Sequence, residues 1–170
     1  IRCPRAGDGA MVHAAVVETL VELRAWPASL PWALAEPTVE ASELFCREGQ
    51  AAWLARQHLP MLLLLKATGE YLGGSGLHHI DWAVPKFEVG YWCRRRLQGQ
   101  GLMAEAVTAV VRFAFETLGA RRVTSLPDAE NHASRRVAER AGLVLEGTMR
   151  HERLAPDGTP RDTCLYARAR

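Results

Sequence analysis

The chain has 170 residues, 48% of them hydrophobic, and a formal net charge of +2. That length suits one domain burying roughly 70% of its unfolded surface, and the near-neutral balance gives no electrostatic reason to expect nucleic acid or an acidic membrane as partner. Four widely spaced cysteines without a C-x-x-C pair argue against a zinc site or disulfide framework. No signal peptide or apolar stretch of about twenty residues appears, which points to a cytoplasmic protein.

In chain order, Ile1–Pro4 is expected to be a short strand and Asp8 to cap a helix running to about Leu23. Trp26, Pro27, Pro31, Trp32 and Pro37 mark a loop or broken helix. Thr38–Gln57 reads as a helix with Ala41, Leu44, Phe45, Ala52 and Ala55 on its buried face. Met61–Lys66 and Tyr71–Asp81 read as strands joined at Thr68-Gly69-Glu70. Trp82–Lys86 then leads to a central strand, Phe87–Cys93, completing an antiparallel meander. Leu102–Leu118 carries the strongest helical pattern, with Met103, Ala106, Val107, Val110, Val111, Ala114 and Leu118 as its stripe and Gly119 as its stop. Arg122–Leu126 follows as a strand parallel to Phe87–Cys93, because a helix separates the two. A short helix over Ala133–Ala141 ends at Gly142, and Leu143–Leu154 with Thr163–Arg168 forms a closing hairpin. The implied class is α/β, a mixed sheet with helices on both faces.

Between the central strand and the long helix lies Arg96-Leu97-Gln98-Gly99-Gln100-Gly101. A glycine-bearing loop entering a helix exposes backbone N–H groups beside a positive dipole end, an arrangement suited to a pyrophosphate. The arginine run Arg94–Arg96 is either a solvated edge or a further draw for phosphates. Gly99, Gly101 and Ala104 also satisfy G-x-G-x-x-A, with Asp128 beyond. A dinucleotide fold, however, needs more βα units after that fingerprint than the chain has left. A plain glycine turn without ligand is the competing reading.

The loop, taken with Asn131-His132-Ala133-Ser134 and the Glu139-Arg140-Ala141-Gly142-Leu143 that follows, resembles the GNAT acetyltransferases. Within them the resemblance is to the RimJ/RimL type, which acetylates ribosomal-protein N-termini. It covers most of the chain, is strongest from Leu72 onward, and implies a single GNAT domain over 1–170 with a splayed parallel strand pair.

What the resemblance implies about chemistry can be set against named residues. The donor would be acetyl-CoA, held by Tyr91, Trp92, Cys93, Arg96, Leu97, Gln98, Gly99, Gln100, Gly101 and Asn131, with no metal. Glu88 would be the base, acting through water, with Asp81 and Glu146 as weaker substitutes; a solvent-facing strand carboxylate is the plain alternative. Ser134 would protonate the departing sulfur, against a plain role in the first helical turn. Asn131 would bond the pantetheine arm or merely form an Asx turn. A backbone N–H from Gly90–Trp92, exposed by a bulge, would hold the oxyanion. Trp32, His79 and Trp82 would line the acceptor site, the walls being Trp26–Pro37 and Trp82–Lys86; core packing is the plainer account of the tryptophans.

His78 and His79 fall on opposite faces of a strand and cannot share one metal ion. His132 and His151 complete the histidines that invite a metal reading, and His151 is a second candidate for the cleft. The expected partner is an amine acceptor, most simply a protein or peptide N-terminus. A polyamine or aminoglycoside is the alternative, as is a CoA-binding module that has lost catalysis. Neither nucleic acid nor a membrane is expected, and a homodimer is compatible with the sequence.

Overall fold

The computed structural model describes all 170 residues. Its centre is the strand β3 (Lys86–Cys93), which follows β1 (Leu59–Leu64) and β2 (Tyr71–Asp81) in an antiparallel meander. On its other edge β3 runs parallel to β4 (Arg122–Ser125), and the sheet closes with β6 (Pro160–Ala169) and β5 (Val144–Leu154), giving the order β1-β2-β3-β4-β6-β5. The helices are α1 (Gly9–Arg24), α2 (Val39–Ala55), α3 (Leu102–Glu116) and α4 (His132–Arg140). No helix is long and apolar enough to cross a membrane, and all four cysteines are free thiols.

Each face of the sheet has its own core. Phe87, Val89, Leu77 and Val123 meet Val107, Val110, Val111 and Ala114 of α3 on one side. On the other, Leu62 and Tyr71 meet Val12, Ala15 and Val16 of α1 and Cys46 of α2. The α3 stripe follows the helical period, but Ala104 and Phe115 are fully buried where Ala106 and Leu118 are only half-buried.

Three local expectations are corrected. Ile1–Pro4 makes no strand, only a bridge in which Arg2 exchanges backbone hydrogen bonds with Leu62. Asp8 precedes α1 but does not cap it. Its carboxylate accepts two bonds from the Arg2 guanidinium, at 2.6 and 2.7 Å, and one from the Arg5 N–H. The free N–H groups of Gly7 and Gly9 donate instead to the Glu43 carboxylate on α2. A negative group at a helix N-terminus satisfies donors and the dipole together. Third, α2 buries Ser42, Cys46, Gly49 and Ala52, while Leu44 and Phe45 are exposed. Small residues win that face because it is pressed close to its neighbours: a Cβ on Gly49 would stand 3.0 Å from the Pro60 ring.

The same crowding makes Gly9 a test of the helix pair. A Cβ there would lie 2.6 Å from the Glu43 Cα and 2.7 Å from its backbone nitrogen, atoms that cannot swing aside. Gly9→Ala should therefore cost about 1–3 kcal/mol through overpacking, at about 2–4 °C of Tm for each kcal/mol in a chain of this size. An unchanged melting curve would show that α1 and α2 separate freely.

Candidate active site

The parallel pair β3–β4 is short. Ladder partners run only from Lys86–Arg122 to Glu88–Thr124; β4, paired with β6 on its other edge throughout, then ends at Ser125 and β3 continues alone on that edge. The Phe87 carbonyl accepts from Thr124 Oγ1 across this pair, and the Arg94 N–H donates to Leu72 on the β2 side. Backbone groups alternate with period two, so those of Tyr91 and Cys93 face the gap while those of Gly90 and Trp92 face β2. The expected bulge at Gly90–Trp92 is absent, because the β2–β3 ladder is regular from Gly73–Cys93 to His78–Glu88. The strands part because β4 ends, and the N–H available to an oxyanion is that of Tyr91. The irregularity lies instead between His78 and Asp81.

The Arg96–Gly101 loop opens beside this gap. Gly99 and Gly101 have φ of +74° and +79° and open space around them, and Gly101 is the residue before α3. The Gln98 amide donates to the Cys93 carbonyl and the Gln100 amide to the Arg96 carbonyl, bracing the turn from within. The backbone N–H groups from Gly99 to Ala104 donate to no other backbone group. Four ion pairs direct the arginine run away from the loop: Arg94 and Arg96 bind Glu18, Arg95 binds Glu22, and Arg96 also binds Glu70. The guanidinium groups of the run are thus paired with acids on α1 and the β1–β2 turn. Burial would push the Glu18 carboxyl up, but Arg94 and Arg96 outweigh it and hold it below the usual range. Leu97 is buried in the core.

Helix α4 begins across the gap. Asn131 Oδ1 accepts from the Ser134 N–H at 3.0 Å and caps the helix, so only its amide nitrogen remains for another partner. The Ser134 hydroxyl donates to the Tyr91 hydroxyl at 3.3 Å, which in turn donates to the Ser134 carbonyl at 2.9 Å. Ser125 Oγ joins the same oxygen at 3.4 Å. Burial raises the Tyr91 pKa, against the bonds from the two serines, so the phenol keeps its proton at neutral pH. Tyr91 is a donor-binding candidate in the sequence, but Ser125 is not, nor is the link of the Tyr91 hydroxyl to the two serines; nothing in their spacing connects a β3 tyrosine with the end of β4. Asp128 anchors the turn before Asn131: it is 4% exposed, bound twice by Arg161, and accepts from the Glu130 N–H. Burial pushes its carboxyl up, and the guanidinium more than reverses this.

On the opposite face of β3, Glu88 is half-buried with Oε2 3.0 Å from His79 Nδ1. Asp81 and Glu146 are committed elsewhere, Asp81 to the Ala83 and Val84 N–H groups and to Lys86, Glu146 to Arg122. Trp92 shares the face of Glu88 and lies over Gly74, where a Cβ would come 2.6 Å from its indole nitrogen. It packs against Tyr71 and Trp32. Cys93 is half-buried, and burial pushes its thiol up to about 11.

The Trp26–Pro37 segment spans the gap from above. Trp32, in a 3-10 turn at Pro31–Leu34, meets Trp92 on β3, while Ser29 accepts from Arg153, whose guanidinium also reaches the Leu126 carbonyl just past β4. Trp82 is not part of this wall. It packs on Phe87 at the other end of β3 and donates to the Arg56 carbonyl, with the Arg56 guanidinium stacked on its ring. His132 and His151 are exposed, and no group of three or more His, Cys, Asp or Glu side chains comes together to hold a metal.

Comparison with known proteins agrees with this geometry. A family model described as an acetyltransferase (GNAT) domain matches residues 1–144. The "Putative ribosomal N-acetyltransferase YdaF" of Bacillus subtilis (strain 168) is 33% identical over 99 residues, 58% of this chain and 54% of that protein. The match thus spans about half of that relative's length. The ribosomal-protein-serine acetyltransferase of Escherichia coli (strain K12) is 28% identical over 121 residues, 71% of this chain and 66% of that one. Among solved structures, RimL, a ribosomal L7/L12 alpha-N-protein acetyltransferase in complex with coenzyme A, superposes with a TM-score of 0.84 at 24% identity, covering 98% of this chain and 92% of that one. The fold is shared, and with the family match over most of its length, the chain belongs to the GNAT acetyltransferase domain family.

Proposed function

We propose that this protein transfers the acetyl group of acetyl-CoA to a primary amine, and that the favoured acceptor is the α-amine of a peptide or protein N-terminus. The observation that carries the donor assignment is the run of unpaired N–H groups from Gly99 to Ala104, opening beside the gap between β3 and β4. Backbone donors at a helix start suit a pyrophosphate. The pantetheine arm would lie along the free edge of β3 at Tyr91 and Cys93, with the Asn131 amide within its path. That acetyl-CoA is the donor is supported by family membership and by RimL, whose solved complex contains coenzyme A.

In this arrangement Tyr91 N–H meets the thioester oxyanion, a contribution worth roughly 10²–10³ in rate. Ser134, backed by the protonated Tyr91 phenol, supplies a proton to the thiolate. Glu88 stands on the acceptor side and serves removal of the amine's proton, since an ammonium cannot attack until it is neutral.

The acceptor assignment rests on charge. A site for spermidine or an aminoglycoside needs several free carboxylates, because one exposed pair contributes only about 0–1 kcal/mol. Here Glu36 is bound by Arg24 and Asp81 by Lys86, and the roof is Trp32 and Ser29. A single α-amine on an extended chain asks less. The names of YdaF and the E. coli relative, both ribosomal acetyltransferases, lean the same way.

Acetyl-CoA should raise Tm by mass action, about 2.7 kcal/mol of stabilisation at a hundred times Kd, and NAD should not. Gly101→Val has room for its side chain but must hold a φ of +79°, a strain of about 1–2 kcal/mol. It should stay folded yet lose the acetyl-CoA shift; a folded variant with the full shift would place the phosphates elsewhere. With the donor bound, kcat/KM should be greater for peptides with a free N-terminus than for spermidine or kanamycin, and should change little with salt. Preference for a polycation that collapses as ionic strength rises would favour the small-molecule reading, and donor binding without transfer to any amine would favour a non-catalytic module.

A further inference from the structure

Strand β2 is broken at one residue. His79 has φ of +45°, a left-handed conformation that residues with side chains seldom adopt, in the interval where the β2–β3 register slips between His78 and Asp81. Strain of that kind persists where the surroundings impose it, often at functional sites. Its local consequence is plain. In a regular strand His78 and His79 would point to opposite faces, yet the bulge brings the His79 ring to the carboxylate opposite His78, with Nδ1 3.0 Å from Glu88 Oε2. The His79 side chain is 81% exposed and Glu88 only 21%. The carboxylate is thus held at the sheet surface while the far edge of the imidazole faces solvent.

The other titratable groups in the neighbourhood are differently engaged. His78 lies over the glycines of the sheet, its ring 3.2 Å from where a Cβ of Gly76 would be and 3.3 Å from that of Gly90, and stacks on His58. Burial holds His78 below the ordinary histidine pKa, with Glu88 opposing. Lys86 is paired with Asp81. Glu88 therefore has one hydrogen-bonding side-chain partner, and it is His79.

We propose that His79 is the general base of the reaction and that Glu88 is the residue that holds it. This rests on the amine-acetylating function above. The Glu88 carboxylate accepts from Nδ1–H, which fixes the tautomer and leaves Nε2 as the acceptor. Nε2 takes one proton from the substrate ammonium, and the resulting imidazolium is stabilised by the carboxylate and discharges to solvent. The amine nitrogen then bonds to the thioester carbon and the C–S bond breaks. The second nitrogen proton is lost as the thiolate gains one from Ser134, which is reprotonated in turn, so amide, thiol and one released proton balance the equation. The solvent-facing Nε2 can reach an incoming ammonium, whereas the carboxylate is held back at the sheet surface.

The test is the pH profile of kcat/KM with a peptide acceptor in the wild type, His79→Gly, His79→Asn and Glu88→Gln. Glycine and asparagine both tolerate the left-handed backbone, so both His79 variants should fold and keep the acetyl-CoA-induced rise in Tm. Both should lose about 10²–10⁴-fold in kcat/KM, and added imidazole should restore at least tenfold of this in His79→Gly. Glu88→Gln should lose less than either His79 variant, because the Gln carbonyl can still accept from Nδ1–H. Near-normal activity in both His79 variants with a collapse in Glu88→Gln would overturn the proposal while leaving the function intact: Glu88 would itself be the base. A loss in His79→Gly that imidazole never rescues would also overturn it. Wild-type protein that binds acetyl-CoA and acetylates no amine would remove the function and the proposal together.

Discussion

Everything in the candidate site depends on β3 losing its parallel neighbour after Glu88 and Thr124. Backbone groups inside a sheet are ordinarily paired, and each one left buried and unsatisfied costs about 1–3 kcal/mol. The Tyr91 backbone and the Cys93 N–H face this problem on one edge only, where the gap opens toward α4 and the glycine loop; the Cys93 carbonyl is taken by the Gln98 amide. The flanking structure is arranged to hold the gap at its width. The Tyr91 side chain ties β3 to α4 through Ser134, and Arg153 ties the Ser29 loop to the end of β4. On the far face, Trp92 fixes β3 against Trp32 and Tyr71. The gap is therefore framed by contacts from four separate parts of the chain.

The electrostatics follow from where the arginines go. Arg94, Arg95 and Arg96 are spent on Glu18, Glu22 and Glu70, pinning the strand end and loop to α1 and to the β1–β2 turn. An anion meeting this loop finds oriented backbone dipoles rather than mobile cations. Fixed dipoles need no reorganisation on binding and lose less to salt than exposed side-chain charges do. Rigidity of the loop thus matters more than its formal charge, and the Gln98 and Gln100 amides that brace it from within are part of the same device.

The central strand, the α3 stripe and the loop between them were legible because β-branched and aromatic residues, a 3.6-residue period and paired glycines each have a direct local cause. So was the parallel relation of β3 and β4, which follows from an intervening helix. What depends on contacts far apart in sequence was not. The buried face of α2 was misjudged because hydrophobicity favours Leu44 and Phe45, whereas the closeness of α1 and Pro60 selects Ser42, Cys46 and Gly49. Asp8 looks like a cap from its neighbours alone; Glu43 takes that role from another helix. Trp32 and Trp82 look alike as cleft aromatics, yet the fold sends them to opposite ends of β3. The bulge is the clearest case. A glycine suggested it at Gly90, but it falls at His79, a residue that disfavours the conformation it adopts.

The account stands on backbone N–H groups holding the donor, which amide hydrogen exchange with and without coenzyme A measures directly. At saturating ligand, exchange should slow over Gly99–Ala104 and at Tyr91 and Cys93, with little change along β5. Saturated protein in which those amides exchange at their unliganded rates, protection appearing elsewhere, would contradict it.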